Sequence, residues 1–224
     1  MQSEDFHYDD DTHIYWDGTG RKRPSMTGVL KEAGIVDYSM VDPALLEEKR
    51  LLGQEVHAWT AEHDRDGHND LTTLSTKAVP YAKAWLKFKQ DFHPTFVEIE
   101  QPRMAKIGGP SGILLGGTPD AIVMINRRLW ILDKKCCTTT QPSWELQVAG
   151  YEMQYTKKSY IGILGRMSVR LAPNARYYPM MYEDERAAVV MTEAARLVEN
   201  PSDLRAKKIV DAWKYNKGIL ARAS

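Results

Sequence analysis

The feature that most constrains this chain is the run Leu129-Trp130-Ile131-Leu132 followed at once by Asp133-Lys134-Lys135. A short, unbroken apolar run bounded by turn residues reads as a strand buried on both faces. Charges directly at its end must emerge at the rim of the core, because such groups are seldom fully buried without a partner. Side chains alternate along a strand, so Asp133 and Lys135 face one side and Lys134 the other. Upstream, Pro119-Asp120 opens a second apolar run, and twelve residues separate Asp120 from Asp133. Asn126-Arg127, midway between them, suits a tight hairpin turn. Folded as a hairpin, the segment brings Asp120, Asp133 and Lys135 together at the end of two neighbouring strands.

That convergence fits phosphodiester hydrolysis. The reaction needs charge neutralised on the scissile phosphate and a water made nucleophilic at neutral pH. Asp120, Asp133 and the backbone carbonyl of Lys134 make a hard oxygen set for Mg²⁺ or Mn²⁺. The ion polarises the phosphate and lowers the pKa of bound water. Lys135 can orient the water and stabilise developing negative charge. Burial near a cation would lower its own pKa, which would admit a proton-transfer role. An isolated Asp-x-Lys is equally the pattern of a strand-end salt bridge, so its companions decide between the two.

The rest of the chain sets that hairpin in a larger fold. FHYDDDTHIYWDG reads as a short hairpin. Pro24-Ser25 opens a helix closed at Gly34, and residues 43–64 and 76–92 have helical spacing. FVEIEQPRM, ILLGGTPDAIVMI and RLWILDKKC read as three meandering β runs, and WELQVAGYEMQYTKK as a helix. YIGILGRMSVRL and ARYYPMMY follow as strands, then amphipathic helices over 184–199 and 202–221, the second capped at Pro201-Ser202-Asp203. The order predicts one α/β (α+β) domain over 1–224 with a mixed central sheet flanked by helices. Residues 1–92 supply an N-terminal hairpin and helices, 95–183 the sheet core, and 184–224 C-terminal helices.

Composition narrows the setting. With 30 Lys+Arg against 30 Asp+Glu the formal charge is zero. That argues against a generic nucleic-acid coating protein, which would be basic, but not against an enzyme whose carboxylates hold metal. Arg21-Lys22-Arg23, Arg127-Arg128, Lys134-Lys135, Lys157-Lys158 and Lys207-Lys208 are local basic groups, each read first as solvated surface. No apolar run is long enough to span a bilayer, and the start lacks the basic-then-apolar order of a secretory signal, so a cytoplasmic location is expected. The two cysteines, Cys136 and Cys137, are adjacent and too few for a four-thiolate site; they read as reduced and structural.

GGTPDAIVMINRRLWILDKK resembles the central motif of the PD-(D/E)xK nuclease superfamily, in its RecB-type exonuclease branch. Gln147-Val148-Ala149-Gly150-Tyr151 resembles that branch's Q-x-x-x-Y helix. Gly53-Gln54-Glu55-Val56-His57 resembles its upstream G-x-x-x-H helix, with Glu62 a turn further on, and Pro24-Ser25-Met26-Thr27 resembles its P-S-V-T opening. The matching positions span residues 24–151 in the family's order. Cys136-Cys137 depart from it, standing where many relatives have a small Thr-Gly-like pair. The four cysteines of the iron–sulfur members are absent.

The resemblance implies a restriction-endonuclease-like core and a Mg²⁺- or Mn²⁺-dependent deoxyribonuclease acting from DNA ends. Asp120 and Asp133 would be metal ligands, His57 a further ligand or a polar group near the metal, Lys135 the catalytic lysine, and Gln147 and Tyr151 groups bordering the site. Glu98 or Glu100 would supply an accessory carboxylate; both fall on one face of their strand, and Glu98 is favoured as the more central. A structure-specific endonuclease of the same fold and a non-catalytic DNA-binding module are the alternatives. Such proteins act in recombination and repair, often in phage, with DNA as partner and a homo-oligomer or a recombination protein as a further one.

Overall fold

The computed structural model describes residues 5–10, 12–109, 112–155 and 165–219. The N-terminal part contains β1 (Phe6–Asp9), β2 (Ile14–Asp17), β3 (Lys22–Arg23), α1 (Met26–Glu32), α2 (Pro43–Asp66) and α3 (Val79–Phe92). The middle contains β4 (Thr95–Ile99), β5 (Arg103–Ile107), β6 (Ile113–Gly117), β7 (Ala121–Ile125), β8 (Arg128–Cys136) and α4 (Ser143–Gln154). The chain ends with β9 (Gly165–Leu171), β10 (Tyr177–Tyr182), α5 (Arg186–Glu199) and α6 (Leu204–Asn216). Lys157-Lys158 and the opening residues of YIGILGRMSVRL lie outside the described residues.

A five-stranded sheet ordered β10-β9-β8-β7-β4 forms the centre. β7 and β8 make the expected antiparallel hairpin. Asn126 and Arg127 both take positive φ, 51° and 63°, the conformation of a two-residue turn whose twist matches its strands. β8 and β9 run parallel, joined through α4, while the other neighbours are antiparallel. The sheet is therefore mixed.

Alternation along the strands builds a core on each face. Ala121, Val123, Trp130 and Leu132 pack with Val56, Trp59, Trp85 and Phe88 of α2 and α3. Ile122 and Ile131 face the opposite way, against Leu146 and Val148 of α4 and Met191 of α5. Val210 and Trp213 of α6 complete that second layer. The result is helices on both sides of a mixed sheet. Among the described residues no helix is long and apolar enough to cross a membrane.

Two of the expected β runs are each divided in two. FVEIEQPRM breaks at Glu100, whose φ of 48° lies in the left-handed region, and Pro102 follows with no N–H to donate. ILLGGTPDAIVMI breaks at Thr118-Pro119, between β6 and β7. The outer halves pair as a separate β5–β6 hairpin. Against β6 lies the N-terminal β1-β2-β3 sheet. A Cβ at Gly116 would fall 2.1 Å from the ring of Tyr15, so only glycine permits that close approach.

Candidate metal centre

The register Ala121↔Leu132 ends the β7–β8 ladder with Asp120 and Asp133 next in line. Asp120 is 7% and Asp133 3% exposed. Hydrogen bonds fix Asp120 firmly. Its Oδ2 accepts from the Lys134 backbone N–H, and its Oδ1 lies 2.9 Å from His57 Nδ1. In an extended strand the N–H and C=O of one residue point to the same side, so the Lys134 carbonyl also turns toward Asp120. His57 comes from α2, whose Gly53 lies a turn earlier on the same face.

Glu100 completes the cluster. Ligand atoms of His57, Glu100 and Asp120 all lie within 4.8 Å of one another. The left-handed turn at Glu100 interrupts the strand alternation that would have put Glu98 and Glu100 on one face. Its N–H donates to the Asp120 carbonyl at 3.0 Å. Glu98 is not brought to this cluster, contrary to the preference given by its central strand position. Its carboxylate meets Arg103 at 2.5 Å and accepts from the Tyr155 hydroxyl at 3.0 Å. Glu62 is exposed and stands apart as well.

Beside the cluster, Asp133 and Lys135 share one face of β8, as alternation requires. Lys135 Nζ sits 2.7 Å from Asp133 Oδ2 and donates to Gln147 Oε1 at 2.9 Å. Gln147 Nε2 reaches Asp133 Oδ1 at 3.3 Å and the Tyr151 hydroxyl at 2.8 Å. The Q-x-x-x-Y pair thus lies one turn apart on α4 and props both charged groups. Asp133 Oδ2 is buried and, although close to Lys135, has no hydrogen bond of acceptable geometry.

Burial and the neighbouring charges shift the titration of the whole group. Burial pushes the Asp133 carboxyl above its ordinary range, and the Asp120 charge adds to this against the pull of Lys135. Burial and Asp120 likewise raise Glu100. Burial opposes charging of His57, but the Asp120 carboxylate outweighs it and lifts His57 to about 10. Burial raises Asp120, yet His57 and the lysines pull it well below the carboxylate range. Lys135 is raised: burial lowers it, and Asp133 more than compensates. The nearest charge to the Lys135 ammonium is the Asp133 carboxylate, 2.7 Å away. Burial, with Asp133 nearby, holds Tyr151 well above its ordinary value.

A cleft of about 490 Å³ opens over the cluster, lined by His57, Glu100 and Asp120 at its base. Lys49, Arg50 and Gln54 of α2 form one wall, and Tyr8 and His13 of the N-terminal hairpin the other. A smaller hollow of about 110 Å³ shares His13 and Thr118 with it and continues past Ser25, Thr27 and Tyr151. Residues of the P-S-V-T-like and G-x-x-x-H-like segments, and Tyr151 of the Q-x-x-x-Y-like segment, thus line two hollows that have His13 and Thr118 in common. Pro102 marks only a strand end, which favours Glu98, and nothing in the sequence marks the left-handed turn that brings Glu100 to the cluster.

No protein-family model matches the chain, and no curated protein matches it. Among solved structures it is similar to one titled "Crystal structure of SSO0001", at 15% identity and a TM-score of 0.35, covering 66% of this chain and 75% of that chain. A likeness at that level carries no argument about this molecule.

Proposed function

We propose that this protein is a metal-dependent deoxyribonuclease of the PD-(D/E)xK type, with a restriction-endonuclease-like core, that hydrolyses phosphodiester bonds from DNA ends. The observation carrying the proposal is the cluster of His57, Glu100 and Asp120 ligand atoms within 4.8 Å, adjoining Asp133 and Lys135 at the end of one buried hairpin. A plain strand-end salt bridge would account for Asp133 and Lys135. It would not account for two further carboxylates, Glu100 and Asp120, and an imidazole gathered at the base of a cleft.

The residues fit a divalent cation. Burial raises the pKa values of Asp133 and Glu100, so a further positive charge beside them would favour their ionised forms. His57, Glu100, Asp120 and Asp133 would hold the ion, with the Lys134 carbonyl facing the same side. One imidazole among oxygens favours Mn²⁺ over Mg²⁺ in affinity, since Mg²⁺ prefers oxygen ligands. When bound, the ion supplies phosphate polarisation and an acidified water. Lys135, kept charged by Asp133, stabilises negative charge on the phosphate. Gln147 and Tyr151 hold Lys135 and Asp133 in register. Lys49 and Arg50 offer charge to the backbone of a strand lying in the cleft.

The test is digestion of linear and covalently closed DNA with Mg²⁺ or Mn²⁺. Linear DNA is expected to be degraded, and Lys135→Ala to slow this by about a hundredfold or more. Undiminished activity of Lys135→Ala would sink the proposal. Equal rates on the closed circle would remove the requirement for ends and leave an endonuclease.

A further inference from the structure

We infer that Lys134 is a positioning residue for the metal centre, tying the strand that carries the carboxylates to the helix that carries His57. The inference rests on the reading that His57 and Asp120 hold the ion. Strand alternation sends the Lys134 side chain away from the cleft, which would ordinarily mean toward solvent or an apolar layer. Here it enters the layer between β8 and α2 and is 1% exposed. Its Nζ donates to Thr60 Oγ1 at 2.7 Å, lies 4.0 Å from Asp64 Oδ2 and stands 5.0 Å over the Trp85 ring.

Those partners lead back to the site. Thr60 is fully buried, and its hydroxyl donates to the His57 carbonyl at 3.0 Å. The same Lys134 holds Asp120 Oδ2 through its backbone N–H. One residue thus contacts the support of both proposed ligands, by its side chain on the helix side and by its main chain on the strand side. Stability alone does not call for a lysine here. A buried ion pair replaced whole by apolar groups of similar volume is often neutral, and removing one partner is costly because it leaves the other charge unpaired. Asp64 does not depend on Lys134 for a partner, because Lys89 reaches Asp64 Oδ1 at 2.7 Å and Trp85 Nε1 donates to it at 3.1 Å. Residues 43–51 of α2 are exposed throughout, so the placement of His57 depends on the contacts that hold the helix further along, those of Val56, Trp59 and Thr60 among them.

Lys134→Met tests this. It keeps the backbone N–H to Asp120 and removes the ammonium's contacts to Thr60 and Asp64 of α2 and to the Trp85 ring of α3. The expected result is a folded protein whose Mn²⁺ affinity, measured by calorimetry, is weakened about tenfold or more, the scale of lost ligand-supporting contacts. In a His57→Gln background the same substitution should add no further loss, because its effect passes through His57. Wild-type affinity in Lys134→Met, or a loss fully additive with His57→Gln, would overturn the inference. Should Lys134→Met not fold, Thr60→Val cuts the link one step later and should weaken Mn²⁺ binding in the same direction; unchanged affinity there overturns it too. Failure of the wild-type protein to bind Mn²⁺ would instead refute the metal-site reading on which the inference stands.

Discussion

At the scale of single residues, the two glutamates of the β4 region make opposite predictions. Glu100 shares the cluster with His57 and Asp120, whereas Glu98 is engaged by Arg103 and Tyr155. Glu100→Gln is expected to weaken Mn²⁺ binding about tenfold, and Glu98→Gln to leave it nearly unchanged. Calorimetric titration of both variants decides; equal losses would put the accessory carboxylate in doubt. His57 yields a prediction in pH. Its folded value of about 10 lies above the ordinary ~6.5 of an unfolded chain. A raised value contributes stability that is complete below about pH 6.5 and is lost as pH rises through about 10. In chelator-treated protein, the melting-temperature gap between wild type and His57→Gln should therefore be widest in acid-to-neutral solution and should close toward pH 10. A gap that grows with pH would contradict the His57–Asp120 pair. Metal must displace that proton, so Mn²⁺ binding at neutral pH should release protons to the buffer.

At the scale of elements, α2 does two things at once. Its inner half buries Val56, Trp59 and Thr60, while Lys49 and Arg50 on its outer half line the cleft. Arg50 also holds Glu47 in a two-pronged ion pair. With inactive Lys135→Ala protein, Lys49→Ala and Arg50→Ala should each make DNA affinity less salt-dependent, reducing the log–log slope by about one. An unchanged slope would place the strand elsewhere. The elements most legible in the sequence were those fixed by local chemistry. The Asn126-Arg127 turn could be read because asparagine tolerates positive φ and the pair stands between two apolar runs. α1 could be read because Ser25 caps it, accepting from the Gly28 N–H at 3.0 Å. The β4–β5 break was hidden because a glutamate in the left-handed region leaves no compositional mark. The role of the Lys134 side chain was hidden because alternation gives direction but not what lies there. Asp120, Asp133 and Lys135 needed only the hairpin, whereas Glu100 needed tertiary structure.

At the scale of the whole molecule, the C-terminal helices support the site without entering it. α6 rests on α5, α5 on α4, and α4 carries Gln147 and Tyr151. Lys217 just beyond α6 meets Glu145 of α4 at 2.7 Å. Trp213 anchors this stack in the core. Trp213→Ala should cost about 3–5 kcal/mol, the usual scale for removing a large buried aromatic side chain. Trp213→Phe should cost much less, because among the described residues the buried indole N–H has no hydrogen-bond partner to lose and most of the apolar volume is kept. Urea denaturation measures both. If the stack acts only as scaffold, the folded fraction of Trp213→Ala should bind Mn²⁺ as the wild type does, and saturating Mn²⁺ should stabilise both proteins equally, since linkage depends on affinity alone. A selective loss of Mn²⁺ affinity in Trp213→Ala would instead show that packing at α6 reaches through α4 to the orientation of Gln147 and Lys135.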